Sequence, residues 1–311
     1  MTQTHETDLA DLIYEIASSG DVCLSARMSG LYRSDDAGKS WQSVYDSLEL
    51  TEALATLTVV IPPNFQQEPS LFAGINGGIL RSPDGGQTWE RAFFPAPPTT
   101  ITTMQASPNY ASDGTLFAGT LEDGIFFSRN RGQTWRAGNF GLLDLSVYAL
   151  AVSPNYADDS TLYAGTQTGI FRSTNGGRSW RDVQTPVEYP AVLSLALSLN
   201  DSQDQTLYAG TEVHGLLCST DAGGNWSHMG ENHIDEAINA IQITPQNSEL
   251  LILHGDTLLN SSDNGESWQH WNEKLLAGKS ISAIHAQQGL EAGGIIYVGL
   301  QDGEILTLKS D

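Results

Sequence analysis

Short apolar runs and polar turns alternate along the whole chain. Similar runs recur as SLFAGI at 70–75, TLFAGT at 115–120, TLYAGT at 161–166 and again at 206–211, and IIYVGL at 295–300. Each run is short for a helix and is bounded by residues that favour turns, so we predict buried β-strands. Another apolar strand precedes each run and a third follows it, which indicates one small sheet repeated many times.

An eight-residue turn that ends in tryptophan follows the third strand of six repeats. The turns share the pattern Ser-x-Asp/Asn-x-Gly-x-Ser/Thr-Trp, with Asn225 as the one departure at the seventh position. The third and eighth positions are Asp36, Asp84, Asn130, Asn175, Asp221 and Asp263, and Trp41, Trp89, Trp135, Trp180, Trp226 and Trp268. Asp or Asn can close a tight turn on nearby N–H groups, Gly supplies positive φ, and Trp suits the seam between packed sheets. Six repetitions favour a structural role for these residues over a catalytic one.

The spacing of the tryptophans predicts the fold. They recur at 48, 46, 45, 46 and 42 residues, a period typical of propeller blades. We predict one all-β domain, 1–311, a seven-bladed β-propeller of four-stranded antiparallel blades. The predicted blades are 9–45, 54–92, 101–138, 147–184, 191–229, 237–272 and 281–310. The last ends before a fourth strand, so we predict that 2–7 supply that strand and close the ring; a terminal tail beside a three-stranded blade is the alternative.

The eight-residue turn resembles the Asp-box, or bacterial neuraminidase repeat, and the chain is similar to the Asp-box β-propeller superfamily. The resemblance covers nearly the whole sequence. The superfamily contains sialidases, xyloglucan-cleaving glycosidases, sortilin-type receptors and photosystem II assembly factors, so the fold by itself does not select a function. In size, in layout and in the absence of recognisable catalytic residues, the chain looks closest to propellers of the photosystem II assembly and stability factor type. That likeness implies an assembly role.

The composition is strongly acidic. The formal net charge of −23 argues against nucleic acid or an anionic membrane surface as a partner. After Arg181 the basic residues are Lys274, Lys279 and Lys309 alone, so the last three blades should form an acidic sector. No signal-peptide pattern and no run of about 20 apolar residues is present, so we expect a cytoplasmic protein without membrane insertion. Cys23 and Cys218 are expected to be buried and unpaired.

The segments that join successive blades are unusually apolar for loops. We predict that four of their aromatic side chains form a binding patch on one face of the ring: Phe94, Phe140, Tyr189 and Trp271. The alternative is that these side chains fold inward over the blades. Turns between second and third strands add polar groups near the same channel mouth: Glu122, Asp123, Glu212, His214, His254 and Asp302.

A second candidate surface is basic. Arginines cluster in and just after the box turns of blades 2 to 4, and we predict that they form a strip on the rim: Arg91, Arg129, Arg131, Arg136, Arg178 and Arg181. A strip of one sign opposite an acidic sector suits docking to another protein, because complementary potentials steer encounter. An ordinary solvated surface is the alternative.

Catalysis and metal binding have weaker support in the sequence. Paired carboxylates could cleave sugars, and Glu122, Glu212 or Asp302 are conceivable members. The related sialidases, however, use an arginine triad and an N-terminal Arg-Ile-Pro motif that is absent here. His214, His254 and His285 fall in separate blades, and no His-x-x-His or Cys-x-x-Cys occurs. We therefore predict a non-catalytic protein-interaction or assembly scaffold without metal or cofactor; the alternative is a carbohydrate-binding or sialidase-like glycoside-hydrolase propeller with a glycan partner.

Overall fold

Seven small antiparallel sheets follow one another along the chain in the computed structural model, which describes residues 11–198, 205–230, 234–244, 249–290 and 293–310. Six sheets have four strands in sequential order, and the seventh has three among the described residues. The first strand of each sheet packs against the first strands of its two neighbours, and blade 7 packs against blade 1. The predicted seven-bladed propeller is confirmed. The segment 2–7, predicted to complete blade 7, lies outside the described residues.

The strands of a blade are called A to D from the channel outward. Blade 1 contains β1 Ile13–Ser19, β2 Val22–Arg27, β3 Gly30–Ser34 and β4 Gln42–Ser43. Blade 2 contains β5 Thr56–Val60, β6 Leu71–Ile75, β7 Gly78–Ser82 and β8 Glu90–Arg91. Blade 3 contains β9 Ile101–Ala106, β10 Leu116–Thr120, β11 Ile125–Ser128 and β12 Arg136–Ala137. Blade 4 contains β13 Val147–Val152, β14 Leu162–Thr166, β15 Ile170–Ser173 and β16 Arg181–Val183.

The remaining blades repeat this order. Blade 5 contains β17 Val192–Leu197, β18 Leu207–Thr211, β19 Leu216–Ser219 and β20 Ser227–Met229. Blade 6 contains β21 Ile238–Ile243, β22 Leu250–His254, β23 Thr257–Ser261 and β24 Gln269–His270. Blade 7 contains β25 Ile281–Leu290, β26 Ile295–Leu300 and β27 Ile305–Lys309. Short helices lie between strands: a 3-10 turn Asp46–Leu48, α1 Tyr110–Asp113, α2 Tyr156–Asp159 and α3 Glu273–Leu276.

The hydrophobic core is divided into seven clusters, and each cluster lies between two neighbouring blades. The cluster between blades 2 and 3, for example, joins Phe72 and Ile79 of one blade to Leu116 and Trp135 of the next. This arrangement follows from the strand pattern, because a blade with two apolar faces must cover both with its neighbours. Strand B is buried along its whole length in most blades, which explains its near-continuous apolar sequence.

Every strand A has a bulge near its start. The pairing between strands A and B shifts by one residue after the first position in all seven sheets. A bulge bends the strand and redirects the following side chain. The topology then places A–B turns and box turns on one face of the ring, and B–C turns and blade-joining segments on the other.

Candidate functional site

The six box turns share one set of hydrogen bonds, except that the Trp180 indole N–H donates to the Gly138 carbonyl of the preceding blade at 2.7 Å. In blade 2 the Ser82 hydroxyl donates to Asp84 at 2.9 Å and accepts the buried N–H of Gly86 at 2.7 Å. Asp84 in turn accepts from the N–H of Thr88 at 2.9 Å, and the Trp89 indole N–H donates to the Gly86 carbonyl at 3.2 Å. The third-position side chain is thus committed to its own turn, which supports the structural interpretation.

Electrostatics agree with this role. Hydrogen bonds from the Ser40 side chain and N–H lower the pKa of Asp36 to about 2. Asn225 does the same for the pKa of Asp221, and Ser267 for that of Asp263, each to about 2. A carboxylate that stays ionised in this way cannot act as a general acid near neutral pH.

Two of the four aromatic residues predicted to form an apolar patch are packed inward, which corrects that prediction. The Phe94 ring stacks on Trp135 with centroids 5.8 Å apart and meets Phe126 edge-on at 5.4 Å. Trp271 is 8% exposed and belongs to the core between blades 6 and 7. Its N–H bonds to Leu258 of strand C, so it ends strand D with its side chain toward the core. Tyr189 and Phe140 remain exposed.

The polar residues predicted at the channel mouth are dispersed. Glu122, Glu212, His214 and Asp302 are exposed on the B–C turns of blades 3, 5 and 7. Among the described residues no hydrogen bond or ion pair joins any two of them. Asp302 accepts the N–H of Glu304 at 3.0 Å, a local turn contact. Asp123 and His254 are likewise bonded to nearby N–H groups.

Exposed apolar side chains are confined to one set of loops. The described part of the chain exposes ten large ones, all on B–C turns or blade-joining segments: Met28, Leu50, Phe93, Leu121, Phe140, Leu143, Leu145, Tyr189, Val213 and Leu275. Five of these belong to the segments that lead out of blades 2 and 3 or to the B–C turn of blade 3. Half of the large exposed apolar side chains among the described residues therefore lie between the end of blade 2 and the start of blade 4.

Two of these side chains, Phe93 and Phe140, extend the outer strands of the blades that follow them. Phe93 forms a parallel bridge with Thr134, and Phe140 forms one with Ser179. A backbone N–H of the next box turn anchors each bridge. The Trp135 N–H donates to the Phe93 carbonyl at 3.0 Å, and the Trp180 N–H donates to the Phe140 carbonyl at 2.9 Å. The two phenyl rings are 63% and 82% exposed. Phe93 was not among the predicted binding residues, and Phe140 was predicted for a different surface.

Arginines follow the bridged residues on the same side of the sheet as both rings. Bridged residues point to the same side of a sheet, and so do residues two apart on an extended strand. Phe93 therefore shares a side with Arg136, and Phe140 shares one with Arg181. Both arginines are exposed.

Further contacts connect the side of the sheet with Phe93 and Arg136 to the side with Phe140 and Arg181. Arg136 pairs across the sheet with Phe127, whose ring carries the Arg129 guanidinium 5.5 Å from its centroid. The Arg129 side chain also reaches Gly176 in the box turn of blade 4, two residues before Arg178. We call Phe93, Phe140, Arg129, Arg136, Arg178 and Arg181 the aromatic–arginine rim. In the part of the chain that the structure describes, none of its four arginines forms an ion pair.

Two arginines predicted for the strip lie outside this rim. Arg131 is ion-paired with Glu68 and donates to the Ala111 carbonyl at 2.9 Å. Arg91 pairs with Leu80 and so faces the opposite side of its blade from Glu90. Arg81, on strand C, instead joins two blades, because its Nε donates to the Arg131 carbonyl at 3.0 Å.

The central channel is a separate cavity of about 520 Å³ lined by the seven A strands. Its lining contains a single carboxylate among the described residues, Glu15, which accepts the Val59 N–H at 2.9 Å. Burial raises the pKa of Glu15 to about 7, opposed by the hydrogen bond from the Val59 N–H. His285 lies 2.9 Å from the Ser18 hydroxyl, and burial lowers its pKa to about 4.

Residues 11–310, apart from the undescribed gaps, contain no cluster of three or more His, Cys, Asp or Glu side chains able to hold a metal ion. Over the same described residues, no helix has the length and apolar character needed to cross a bilayer. Asp113 and Asp159 each accept from a serine hydroxyl and close their own turn. Cys23 and Cys218 are buried and unpaired.

No family model and no curated protein matches the chain. Solved structures match it over nearly its whole length. The extracellular domain described as that of a one component system from B. thetaiotaomicron is 20% identical with a TM-score of 0.74, over 96% of this chain and 38% of that one. YCF48 bound to a D1 peptide is 16% identical with a TM-score of 0.73, over 97% and 95%.

A third similar structure is the GH74 xyloglucanase from Xanthomonas campestris. It is 16% identical with a TM-score of 0.72, and the match covers 97% of this chain and 52% of that one. The chain thus spans well under two thirds of the one component system domain and of the xyloglucanase. At these identities the likeness shows the propeller fold alone.

Proposed function

We propose that the chain is a non-catalytic protein-interaction module that binds an acidic, aromatic-containing segment of another protein on its aromatic–arginine rim. The observation that carries this proposal is the pair of parallel bridges, Phe93 with Thr134 and Phe140 with Ser179, which puts exposed rings on the same sheet side as Arg136 and Arg181. Exposed aromatic and arginine side chains are the types that supply most binding energy at protein interfaces.

The positive charges of the aromatic–arginine rim favour an acidic partner. Its arginines lack ion-pair partners in the described structure, while the molecule as a whole carries −23. A basic surface on an acidic molecule attracts carboxylates locally, and a guanidinium can bind them through two hydrogen bonds. The fold neighbour YCF48 is a propeller seen with a peptide bound, which supports peptide recognition by this architecture.

A peptide selection tests the proposal. A displayed library of random peptides would be selected on the purified chain, and we expect enriched sequences that combine Asp or Glu with aromatic residues. Affinity of these peptides should fall at least about tenfold in the Phe93→Ala, Phe140→Ala variant and in the Arg136→Ala, Arg181→Ala variant, because truncating an interface anchor costs about 2 kcal/mol or more. Fluorescence anisotropy measures the affinity.

The matched control removes two equally exposed side chains that do not belong to the aromatic–arginine rim. Tyr189 and Val213 are 77% and 67% exposed. The Tyr189→Ala, Val213→Ala variant should keep wild-type affinity. Peptides that lose binding in this control but retain it in the rim variants would move the interaction to the segment between blades 4 and 5 and the B–C turn of blade 5, and would contradict the proposal.

Carbohydrate cleavage is the less supported alternative. It needs two carboxyl groups about 5–10 Å apart, whereas the channel lining that the structure describes provides Glu15 alone. Turnover of xyloglucan or of aryl glycosides by the purified chain would favour this alternative over an interaction module.

A further inference from the structure

Blades 6 and 7 meet through larger side chains than the blades before them. In blades 2 to 5 a glycine of strand B faces the first residue of the next strand A: Gly74, Gly119, Gly165 and Gly210. A Cβ at any of these glycines would lie within 2.7 Å of that residue's side chain. Blade 6 has Leu253 at the equivalent position, where it pairs with Ala240 and Leu258. The close approach made by blades 2 to 5 is therefore not open to blade 6.

A second large side chain lies in the same core. The N–H of Trp271 donates to the Leu258 carbonyl at 3.0 Å, as the N–H of Ala92 donates to the Ile79 carbonyl in blade 2. The tryptophan thus replaces the alanine of blade 2 at the position that follows strand D. Leu253 and Trp271 belong to the core cluster between blades 6 and 7.

A cavity of about 390 Å³ lies beside this core, between α3 and the B–C turn of blade 6. Four buried apolar side chains form its floor: Leu258, Trp271, Leu276 and Ile281. Small-molecule sites commonly have about 300–1,000 Å³ and a mostly apolar lining. We call this cavity the α3 pocket.

Backbone hydrogen bonds hold the walls of the α3 pocket in place. The N–H of Leu276 donates to the Asn272 carbonyl at 3.1 Å, and the N–H of Lys279 donates to the Leu276 carbonyl at 3.0 Å. The N–H of Ile281 donates to the Asp256 carbonyl at 3.0 Å, which joins the B–C turn of blade 6 to the start of blade 7. A site whose walls are already formed loses little conformational entropy when a ligand enters.

The rim of the α3 pocket has unbalanced negative charge. Asp256 and Glu273 line the pocket, and in the part of the chain that the structure describes neither forms an ion pair. Lys279 also lines it, but its amino group pairs with Glu304 at 3.0 Å. His270 completes the rim. Carboxylates and the face of an indole ring both attract positive charge, so the lining favours an organic cation.

We propose that the α3 pocket binds a small aromatic amine. The aromatic part of the ligand lies on the apolar floor beside Trp271, and its ammonium group is held by Asp256 and Glu273. This site is separate from the aromatic–arginine rim and would give the interaction module a second, small-molecule ligand.

Three probes that share one ring test the ligand class. Tryptamine is the cation, tryptophol is its neutral counterpart and indole-3-acetate is its anionic counterpart. Tryptamine should bind the purified chain with a dissociation constant in the millimolar range or below, as a ligand of this size commonly does. It should bind at least about fivefold more tightly than tryptophol, and indole-3-acetate should bind most weakly. Ligand-detected NMR titrations at constant ionic strength measure the three constants.

Variants locate the site. Asp256→Asn, Glu273→Gln should weaken tryptamine binding at least about fivefold and leave tryptophol binding unchanged. The control Glu212→Gln, Asp302→Asn removes two exposed carboxylates from the B–C turns of blades 5 and 7 and should bind tryptamine as the wild type does. Ala277→Phe enlarges an exposed residue of the pocket lining and should weaken both tryptamine and tryptophol without lowering the melting temperature.

Several outcomes would overturn the proposal. Equal weakening in the two double variants would mean that tryptamine is attracted by the net charge of −23 rather than by the α3 pocket. Equal affinities for tryptamine and tryptophol would exclude the cation class. Unchanged binding in a folded Ala277→Phe variant would place the probes elsewhere, and no detectable binding of tryptamine at about 10 mM would remove the site altogether.

Discussion

Glu15 is a single ionisable carboxyl group held against the wall of the central channel. Its folded pKa of about 7 lies above the ordinary value of 4.5, so the folded state binds its proton more tightly than the unfolded state does. The resulting stabilisation is complete below pH 4.5 and is lost as the pH rises to 7. His285 acts in the opposite sense, because its pKa is lowered to about 4 and stability is lost as the pH falls from 6.5.

We expect Glu15→Gln to remove the first of these dependences. The stability of the variant relative to wild type should increase between pH 4.5 and pH 7 by the order of 1–3 kcal/mol, since one pKa unit corresponds to about 1.4 kcal/mol. Denaturant unfolding at several pH values measures the free energy of unfolding of both proteins. The contribution of His285 is the same in both and therefore cancels in the difference. Glu212→Gln, at an exposed turn, is the control and should follow the wild-type profile. Parallel profiles for Glu15→Gln and wild type would contradict the assignment.

At this scale the sequence indicated residue types but not side-chain directions. Phe93 and Phe94 are neighbours in an apolar segment, yet one is exposed and the other stacks on Trp135. The difference arises because successive side chains on an extended segment alternate, and the bridge to Thr134 sets which one faces out. That bridge joins different blades, so no local pattern shows it. Trp271, by contrast, could have been placed by aligning it with Ala92 in the repeat.

The box turn is the element that joins one blade to the next. Gly132 lies in such a turn with φ +74, and a Cβ there would overlap the Phe72 ring of the preceding blade. Gly77 has a similar φ of +81 in a B–C turn, and a Cβ there would meet nothing within 4 Å. The two glycines therefore share backbone strain but differ in packing.

We expect Gly132→Ala to destabilise the protein more than Gly77→Ala. The left-handed backbone should cost either variant about 1–2 kcal/mol, and overpacking against Phe72 should add about 1–3 kcal/mol for Gly132→Ala alone. Chemical denaturation of both variants measures the difference. Equal losses would mean that the turn moves away from Phe72 without cost.

The elements themselves were predictable because the same physical requirement recurs in every repeat. Strand B must be apolar on both faces, the box turn must contain Gly and a capping Asp or Asn, and the tryptophan must fill a seam. The strand extensions at Phe93 and Phe140 were not predictable in the same way, since they occur at two blade boundaries and depend on how the chain leaves strand D.

The whole molecule carries a large excess of negative charge, −23 in formal terms. Like charges on a compact chain repel one another, and salt screens that repulsion. We expect the melting temperature to rise by a few degrees as NaCl increases from about 10 to about 200 mM. The variant Glu122→Gln, Glu188→Gln, Glu212→Gln, Asp302→Asn removes four exposed charges and should show a shallower rise. A melting temperature that falls with salt would contradict this account.

Each hydrophobic core in this ring is built from parts of two successive sequence repeats. Each box turn closes the core that it shares with the blade before it, as Gly132 does on Phe72, Gly177 on Phe117 and Gly38 on Tyr297. Duplicating or excising one repeat at its sequence boundaries would therefore divide two cores and join mismatched halves. To change the number of blades, evolution or design must add or remove a segment that begins at strand B of one repeat and ends at the tryptophan of the next.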